Sequence, residues 1–209
     1  MNANGFNRKQ HWEKVYERKS PDETSWFQSN PRISLSMIEN TGSGVTAALI
    51  DIGGGASLLT DHLLDRGYRD LTVLDISRAA LDRASRRLGE KASRVDWLES
   101  DVTRFTPSRE FDIWHDRAAF HFLTRGKDRE RYSAALRSAL AAGGQAIIAT
   151  FAPGGPERCS GLPVVRYDSD KLSAELGPAF ELEEQKDEVH LTPAGGEQLF
   201  RFFRFKKHD

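Results

Sequence analysis

Asp51-Ile52-Gly53-Gly54-Gly55 is the stretch that decides how this chain folds. The apolar run Ala48-Leu49-Ile50 leads into it, and Leu59, His62 and Leu63 follow at helical spacing. The pattern predicts a strand, a sharp turn, then a helix capped by Ser57 and stopped at Gly67. Glycines at the turn let the backbone bend tightly and approach a ligand closely. Outward from this unit the alternation repeats. Leu71 to Asp75 is a second strand, and Ser77 caps a helix striped by Leu81, Ala84 and Leu88. Val95 to Leu98 and Phe111 to Trp114 are the third and fourth strands. A helix through Tyr132, Leu136 and Leu140 stops at Gly143-Gly144, before a buried strand from Gln145 to Phe151. A helix over 169–176 precedes closing strands at 180–184 and 198–205. Phe200, Phe202, Phe203 and Phe205 make the last strand apolar on both faces, so it belongs inside a covered sheet. The whole reads as α/β, a mostly parallel sheet with helices on both faces.

The glycine turn admits three comparisons. A phosphate-cradling P-loop ends in Gly-Lys-Ser/Thr, and no lysine stands here. The dinucleotide fingerprint wants Gly or Ala at position 58, which is Leu58. Asp-x-Gly-x-Gly fits Asp51, Gly53 and Gly55. A carboxylate at Asp51 would repel a pyrophosphate and attract an ammonium or sulfonium, as S-adenosylmethionine (SAM) carries. Asp75 ends the second strand, where an acid can accept both ribose hydroxyls, with Ile76 and Ser77 beside it. Asp101, with the Val102 backbone, follows the third strand and could accept an adenine amino group. Asp116 is expected after the fourth. Ligands of open α/β sheets bind at the carboxyl ends of the strands, so these acids are expected to converge.

The chain has 209 residues, 30 Lys+Arg and 31 Asp+Glu, for a net charge of −1. That balance gives no reason to expect a nucleic-acid or membrane partner. A single cysteine, Cys159, excludes an internal disulfide and fits a reducing compartment. Met1 to Gln10 lacks a signal-peptide core, and a cytoplasmic protein is expected. No Cys/His cluster has metal-ligand spacing. Residues 1–44 form a segment apart. Trp12, Val15 and Tyr16 share a helical face, Ser25-Trp26-Phe27 is an aromatic turn, and Pro31 opens a second helix.

Asp51-Ile52-Gly53-Gly54-Gly55 with Asp75 resembles the first two motifs of class I SAM-dependent methyltransferases. The likeness covers residues 45 to 205, with Ser57 where the family loop has a third glycine. It implies a Rossmann-like seven-stranded sheet in the order 3-2-1-4-5-7-6, last strand antiparallel, with S-adenosylmethionine as cofactor. The runs His11-Trp12-Glu13-Lys14-Val15-Tyr16, Ser25-Trp26-Phe27 and Trp114-His115-Asp116-Arg117-Ala118 resemble a bacterial subgroup of small methyltransferases. The aromatic N-terminal segment is also similar to that of thiopurine and elongation-factor lysine methyltransferases. The resemblance implies that residues 1–44 lid the domain at 45–209, with Trp12, Tyr16 and Trp26 around the methionine end of SAM.

Methyl transfer asks the protein mainly to position two partners and exclude water. A base is needed only where the nucleophile arrives protonated. Asp116 is the candidate for orienting cofactor or acceptor, with His115 and His121 as candidate bases. Packed, hydrogen-bonded histidines are the alternative for both. No Asn/Asp-Pro-Pro-Tyr run is present, which argues against nucleic-acid bases as acceptors. The acceptor expected is a small molecule, with a protein lysine as the variant, and the oligomeric state stays open. The competing readings are a nicotinamide oxidoreductase and a non-catalytic SAM-binding regulator.

Overall fold

The computed structural model describes residues 6–208, so the first five residues of the 1–44 segment lie outside the described residues. Its helices are α1 (Arg8–Arg18), α2 (Arg32–Glu39), α3 (Leu59–Asp65), α4 (Arg78–Leu88), α5 (Gly126–Ala139) and α6 (Ser169–Leu176). Its strands are β1 (Ala48–Ile52), β2 (Asp70–Asp75), β3 (Val95–Glu99), β4 (Phe111–Arg117) and β5 (Leu140–Phe151), then β6 (Arg158–Cys159), β7 (Leu162–Pro163), β8 (Phe180–Leu191) and β9 (Glu197–Lys207). β6 and β7 make a separate two-residue hairpin. The other seven form one sheet, ordered β3-β2-β1-β4-β5-β9-β8. Counted within the sheet this is 3-2-1-4-5-7-6. β1 to β5 are parallel, and β9 runs antiparallel to both β5 and β8.

Period-2 alternation sends the strand side chains into two cores. Leu49, Val73, Ile113, Ile147, Phe200 and Phe202 pack with α2, α3 and Leu81 of α4. Ile50, Leu74, Trp114, Ile148, Phe203 and Phe205 pack with α5 and α6. The four phenylalanines of β9 are fully buried, two on each face, as a strand between β5 and β8 requires.

Several boundaries differ from the sequence expectation. β4 continues to Arg117, so His115 and Asp116 lie within the strand and not after it. β5 starts at Leu140 straight out of α5, and Gly143-Gly144 fall inside it. Gly143 takes φ +71°, a conformation that interrupts pairing without ending the strand, and the register with β4 shifts there. α3 begins after Leu58, and Ser57 is not its N-cap. The turn itself runs to Ser57, whose N–H donates to the Gly54 carbonyl at 2.8 Å. The closing hairpin is longer than expected at both strands, because its outer residues are charged and conceal the alternation.

A buried relay ties α5 to β4. Trp114 Nε1 donates to the Tyr132 hydroxyl at 2.9 Å, and that hydroxyl donates to Asp116 Oδ2 at 2.8 Å. Tyr132→Phe leaves two buried polar groups short of a partner, so a stability loss of about 1–3 kcal/mol is expected. Urea unfolding checks it, and an unchanged midpoint would mean the relay carries no stability.

Candidate functional site

The turn after β1 places its glycines where side chains cannot stand. Gly53 and Gly55 have φ of +66° and +43°. A Cβ on Gly54 would lie 2.5 Å from Asp51 Oδ2, and one on Gly55 2.7 Å from Asp75 Oδ2. A Cβ on Gly53 would meet the Ala119 methyl at 2.8 Å. The turn is therefore pressed between the ends of β1, β2 and β4.

Two cavities open here, and Tyr16, Trp26, Gly53 and Arg117 line both. The larger is an open cleft of about 710 Å³, lined by Asp75, Ile76, Asp101 and Val102 from the residues at and after β2 and β3. Trp12, Trp26, Phe122 and Cys159 line it as well. The smaller is lined by Asp51, Gly54, Ser57, Ser34 and His115. Among the expected ligand-binding residues, Gly55 and Ser77 line neither cavity. Ser77 instead caps α4, accepting from Ala80 N.

Both acids nearest the turn are buried. Burial pushes the Asp75 carboxyl up to about 7, against the N–H of Ser77 and helped by the charges of Asp51 and Glu13. Asp51 Oδ1 stands 2.7 Å from His115 Nδ1, and His115 Nε2 stands 2.9 Å from Ser34 Oγ. His115 thus links Asp51 to Ser34 through its two ring nitrogens. Asp51 Oδ2 is buried and makes no hydrogen bond. Asp101 accepts from Arg8 Nη1 and from Thr103 N and Oγ1.

The three residues read as acting on an acceptor have other surroundings. Asp116 is fully buried, lines neither cavity, and accepts from Ala119 N, Phe120 N and Tyr132. Burial holds its carboxyl up at about 6, against those N–H donors. These bonds secure the turn in which Ala118 takes φ 69°, unusual for a residue with a side chain. His121 is also fully buried, and burial with the nearby Arg117 charge lowers it to about 3. His115 has both ring nitrogens engaged beneath the turn.

The N-terminal segment lines the cleft with Arg8, Trp12, Tyr16 and Trp26. Trp12 meets Trp26 at 5.7 Å and Phe122 at 4.9 Å, ring centroid to centroid, both edge-on, and Tyr16 meets Trp26 at 6.3 Å. Its anchors are polar and were not read from the sequence. Glu13 accepts from Ser77 Oγ, Arg78 N and Ala79 N, closing the first turn of α4. Burial would raise its carboxyl, but the backbone donors at Ala79 and Arg78 bring it below its ordinary value. Arg8 bridges Asp101 and Asp128. Arg117 was missed as well: burial lowers its guanidinium to about 10, Glu188 opposing. Helical periodicity finds apolar faces. It does not report a polar side chain reaching a partner 64 residues away. Among the described residues, no group of three His, Cys, Asp or Glu side chains could hold a metal ion. None of their helices is long and apolar enough to cross a membrane.

Residues 49–144 match the family model of a methyltransferase domain. The eEF1A lysine and N-terminal methyltransferase of Mus musculus is 21% identical over 154 residues, 70% of this chain and 22% of that protein. The chain spans about a fifth of the length of the first curated relatives it matches. Among solved structures, one described as "Conversion of a Disulfide Bond into a Thioacetal Group during Echinomycin Biosynthesis" aligns with a TM-score of 0.76 and 20% identity, covering 96% of this chain and 93% of that one. The N-methyltransferase NodS from Bradyrhizobium japonicum WM9, in complex with S-adenosyl-L-homocysteine, aligns with a TM-score of 0.72 and 18% identity, covering 94% and 98%. These likenesses show the fold, a Rossmann-like sheet with helices on both faces.

Glu13→Ala removes three acceptor contacts at the α4 N-terminus, and a loss of about 1 kcal/mol is expected by analogy with helix caps. Amide exchange of α1 should quicken in the variant. Protection equal to wild type would show that α1 is held by its aromatic face alone.

Proposed function

Starting from a methyltransferase domain at residues 49–144, we propose that this chain methylates a small-molecule acceptor with S-adenosylmethionine. The observation that carries this reading is the convergence of Asp51, Asp75 and Asp101 around one glycine turn under an aromatic cover. The residues fit the cofactor. Asp51 Oδ2 is a buried acceptor without a partner, suited to an ammonium. Asp75 faces the cleft and suits ribose hydroxyls, with Ile76 and Val102 forming an apolar slot for adenine. Gly53 and Gly54 leave backbone where a Cβ would block approach. When bound, the cofactor supplies a methyl on a sulfonium, which passes to an acceptor lone pair as the carbon–sulfur bond breaks and S-adenosylhomocysteine leaves with the electron pair.

The protein's part is placement. His115 holds Asp51, and Ser34 holds His115, so the carboxylate is fixed before the ligand arrives. Trp12, Tyr16 and Trp26 exclude water and set ring faces and edges near the sulfonium, where a cation–π contact is favourable. Asp116 and His121 line neither cavity, and His115 is held by Asp51 and Ser34, so this reading uses no base among them. This suits a nucleophile that arrives with a free lone pair. The ring-lined, largely apolar cleft favours a small molecule, and the segment at residues 1–44 acts as its lid. A protein lysine is the second reading, favoured by the likeness to the eEF1A methyltransferases.

Titration calorimetry should show binding of S-adenosylmethionine and S-adenosylhomocysteine, with Asp75→Ala weakening both by tenfold or more, about the worth of a buried charged hydrogen bond. Asp75 sits at about 7 in the free protein, above the ordinary carboxylate value. Its protonated form is favoured at low pH, and a cationic ligand favours the ionised form. Affinity should therefore rise as pH climbs from about 6 to about 8, and Asp75→Asn should flatten that slope. Full affinity in Asp75→Ala would remove the ribose assignment. Incubation with methyl-labelled cofactor separates the acceptor classes: label in low-mass extract supports the small molecule, label only in protein overturns it.

A further inference from the structure

Resting on that reading, we propose that the acceptor carries a carboxylate, and that Arg117 is the specificity residue that receives it. Arg117 ends β4 and lines both cavities, yet its side chain is only 10% exposed. Its Nη1 donates to the Trp26 carbonyl at 2.9 Å. Its Nε and Nη2 have no hydrogen-bond partner. Nη2 stands 3.7 Å from Glu188 Oε2, beyond hydrogen-bonding range, and that oxygen also lacks a partner. Gln28 holds the other Glu188 oxygen at 2.9 Å, and Glu188 lines neither cavity. Glu188 is thus a counter-ion on the Nη2 side of the guanidinium, standing short of a hydrogen bond, and Nε is left with no acceptor. Nε–H and Nη2–H lie on one edge of the guanidinium plane, the edge that grips a carboxylate with two parallel bonds.

Arg117 shares both cavities with the glycine turn, and its side chain reaches from there toward β9. The guanidinium carbon lies 4.4 Å from the Phe200 ring on β9, and β9 stands two strands from β4. Strands are spaced about 4.8 Å apart, so the side chain leans across the sheet away from β1 and its glycine turn. Asp51 and Asp75 stand on the turn's side. The larger cavity that Arg117 lines carries the apolar Trp26, Phe122, Ala118 and Ala119 and the neutral Cys159, whose thiol burial pushes up to about 11; the acids of the two cavities are Asp51, Asp75 and Asp101, and Glu188 stands 3.7 Å from Nη2. His121 and His190, on adjoining elements, are both lowered by burial first and by the Arg117 charge second, so they add no positive charge. An apolar body with one carboxylate matches this end. A lysine ammonium would meet a guanidinium of like charge.

The test uses the full chain saturated with S-adenosylhomocysteine and follows Trp12 and Trp26 fluorescence. Benzoate, phenylacetate and indole-3-acetate are titrated against their neutral amides. At least one carboxylate should bind about tenfold or more tighter than its amide, the usual worth of a charge-assisted pair. Arg117→Gln should erase that preference, and Arg117→Lys should keep part of it. No preference anywhere in the panel overturns the proposal. A second arm compares S-adenosylmethionine with its decarboxylated form. If Arg117→Gln weakens the first and spares the second, the guanidinium serves the cofactor and the proposal falls. Should S-adenosylhomocysteine itself not bind, the methyltransferase reading fails first and takes this one with it.

Discussion

The site depends on one steric constraint: a backbone turn threaded between two buried carboxylates with no room for a single Cβ. Asp51 Oδ2 and Asp75 Oδ2 lie where the side chains of Gly54 and Gly55 would begin. Burial disfavours the charged form of Asp75 most and the charge of Asp51 adds to it, which raises the Asp75 carboxyl above its ordinary value. An arrangement of this kind is poorly balanced alone. It becomes favourable when a cation settles against it, and the fold supplies rigid means of holding it until then. His115 and Ser34 brace Asp51 from below, and Ser77 N–H braces Asp75.

The N-terminal segment changes what those acids can do. Attraction between opposite charges is weak in water and grows as the effective dielectric falls. α1 and the Trp26 turn place three large rings over the acids. The rings alone would leave α1 free to slide, since edge-on aromatic pairs are adaptable. Glu13 and Arg8 supply register: one closes the first turn of α4, the other spans Asp101 and Asp128. On the proposed reading, the lid shares an anchor with the adenine end of the cleft. Arg8 holds the same Asp101 that a ligand would approach, so lid position and ligand occupancy are coupled through one carboxylate.

Much of this was legible in the sequence. The alternation of apolar strands and amphipathic helices, with Asp51 to Gly55 and Asp75, specifies the sheet and the neighbourhood of the cleft. The aromatic pattern at Trp12, Tyr16 and Trp26 marks what covers it. What escaped is what does not follow local periodicity. Glu13 and Arg8 look like solvated helix residues until α4 and Asp101 arrive from elsewhere in the chain. Arg117 stands beside Asp116 in the same run, and only the strand's extra length decides which of the two faces the cleft. Had β4 ended at Trp114, both would sit in a loop. Because it continues to Arg117, the alternation turns Asp116 inward to Tyr132 and leaves Arg117 on the same face as His115.

That alternation also fixes the electrical polarity of the cleft. Negative groups collect at β1, β2 and the residues after β3, while the buried positive group stands at the end of β4 and leans toward β9. A cationic ligand and an anionic one would therefore sort themselves toward opposite poles, with Trp26 shared between them. Methyl transfer from a sulfonium dissipates positive charge as it proceeds. A carboxylate drawn close to the sulfonium would stabilise the charged starting state and raise the barrier. Holding the anionic end on a guanidinium two strands away leaves the reacting atoms between the two poles, with apolar side chains around them. The placement of Arg117 thus does two things at once on this reading. It selects the acceptor by charge, and it keeps that charge away from the bond that breaks.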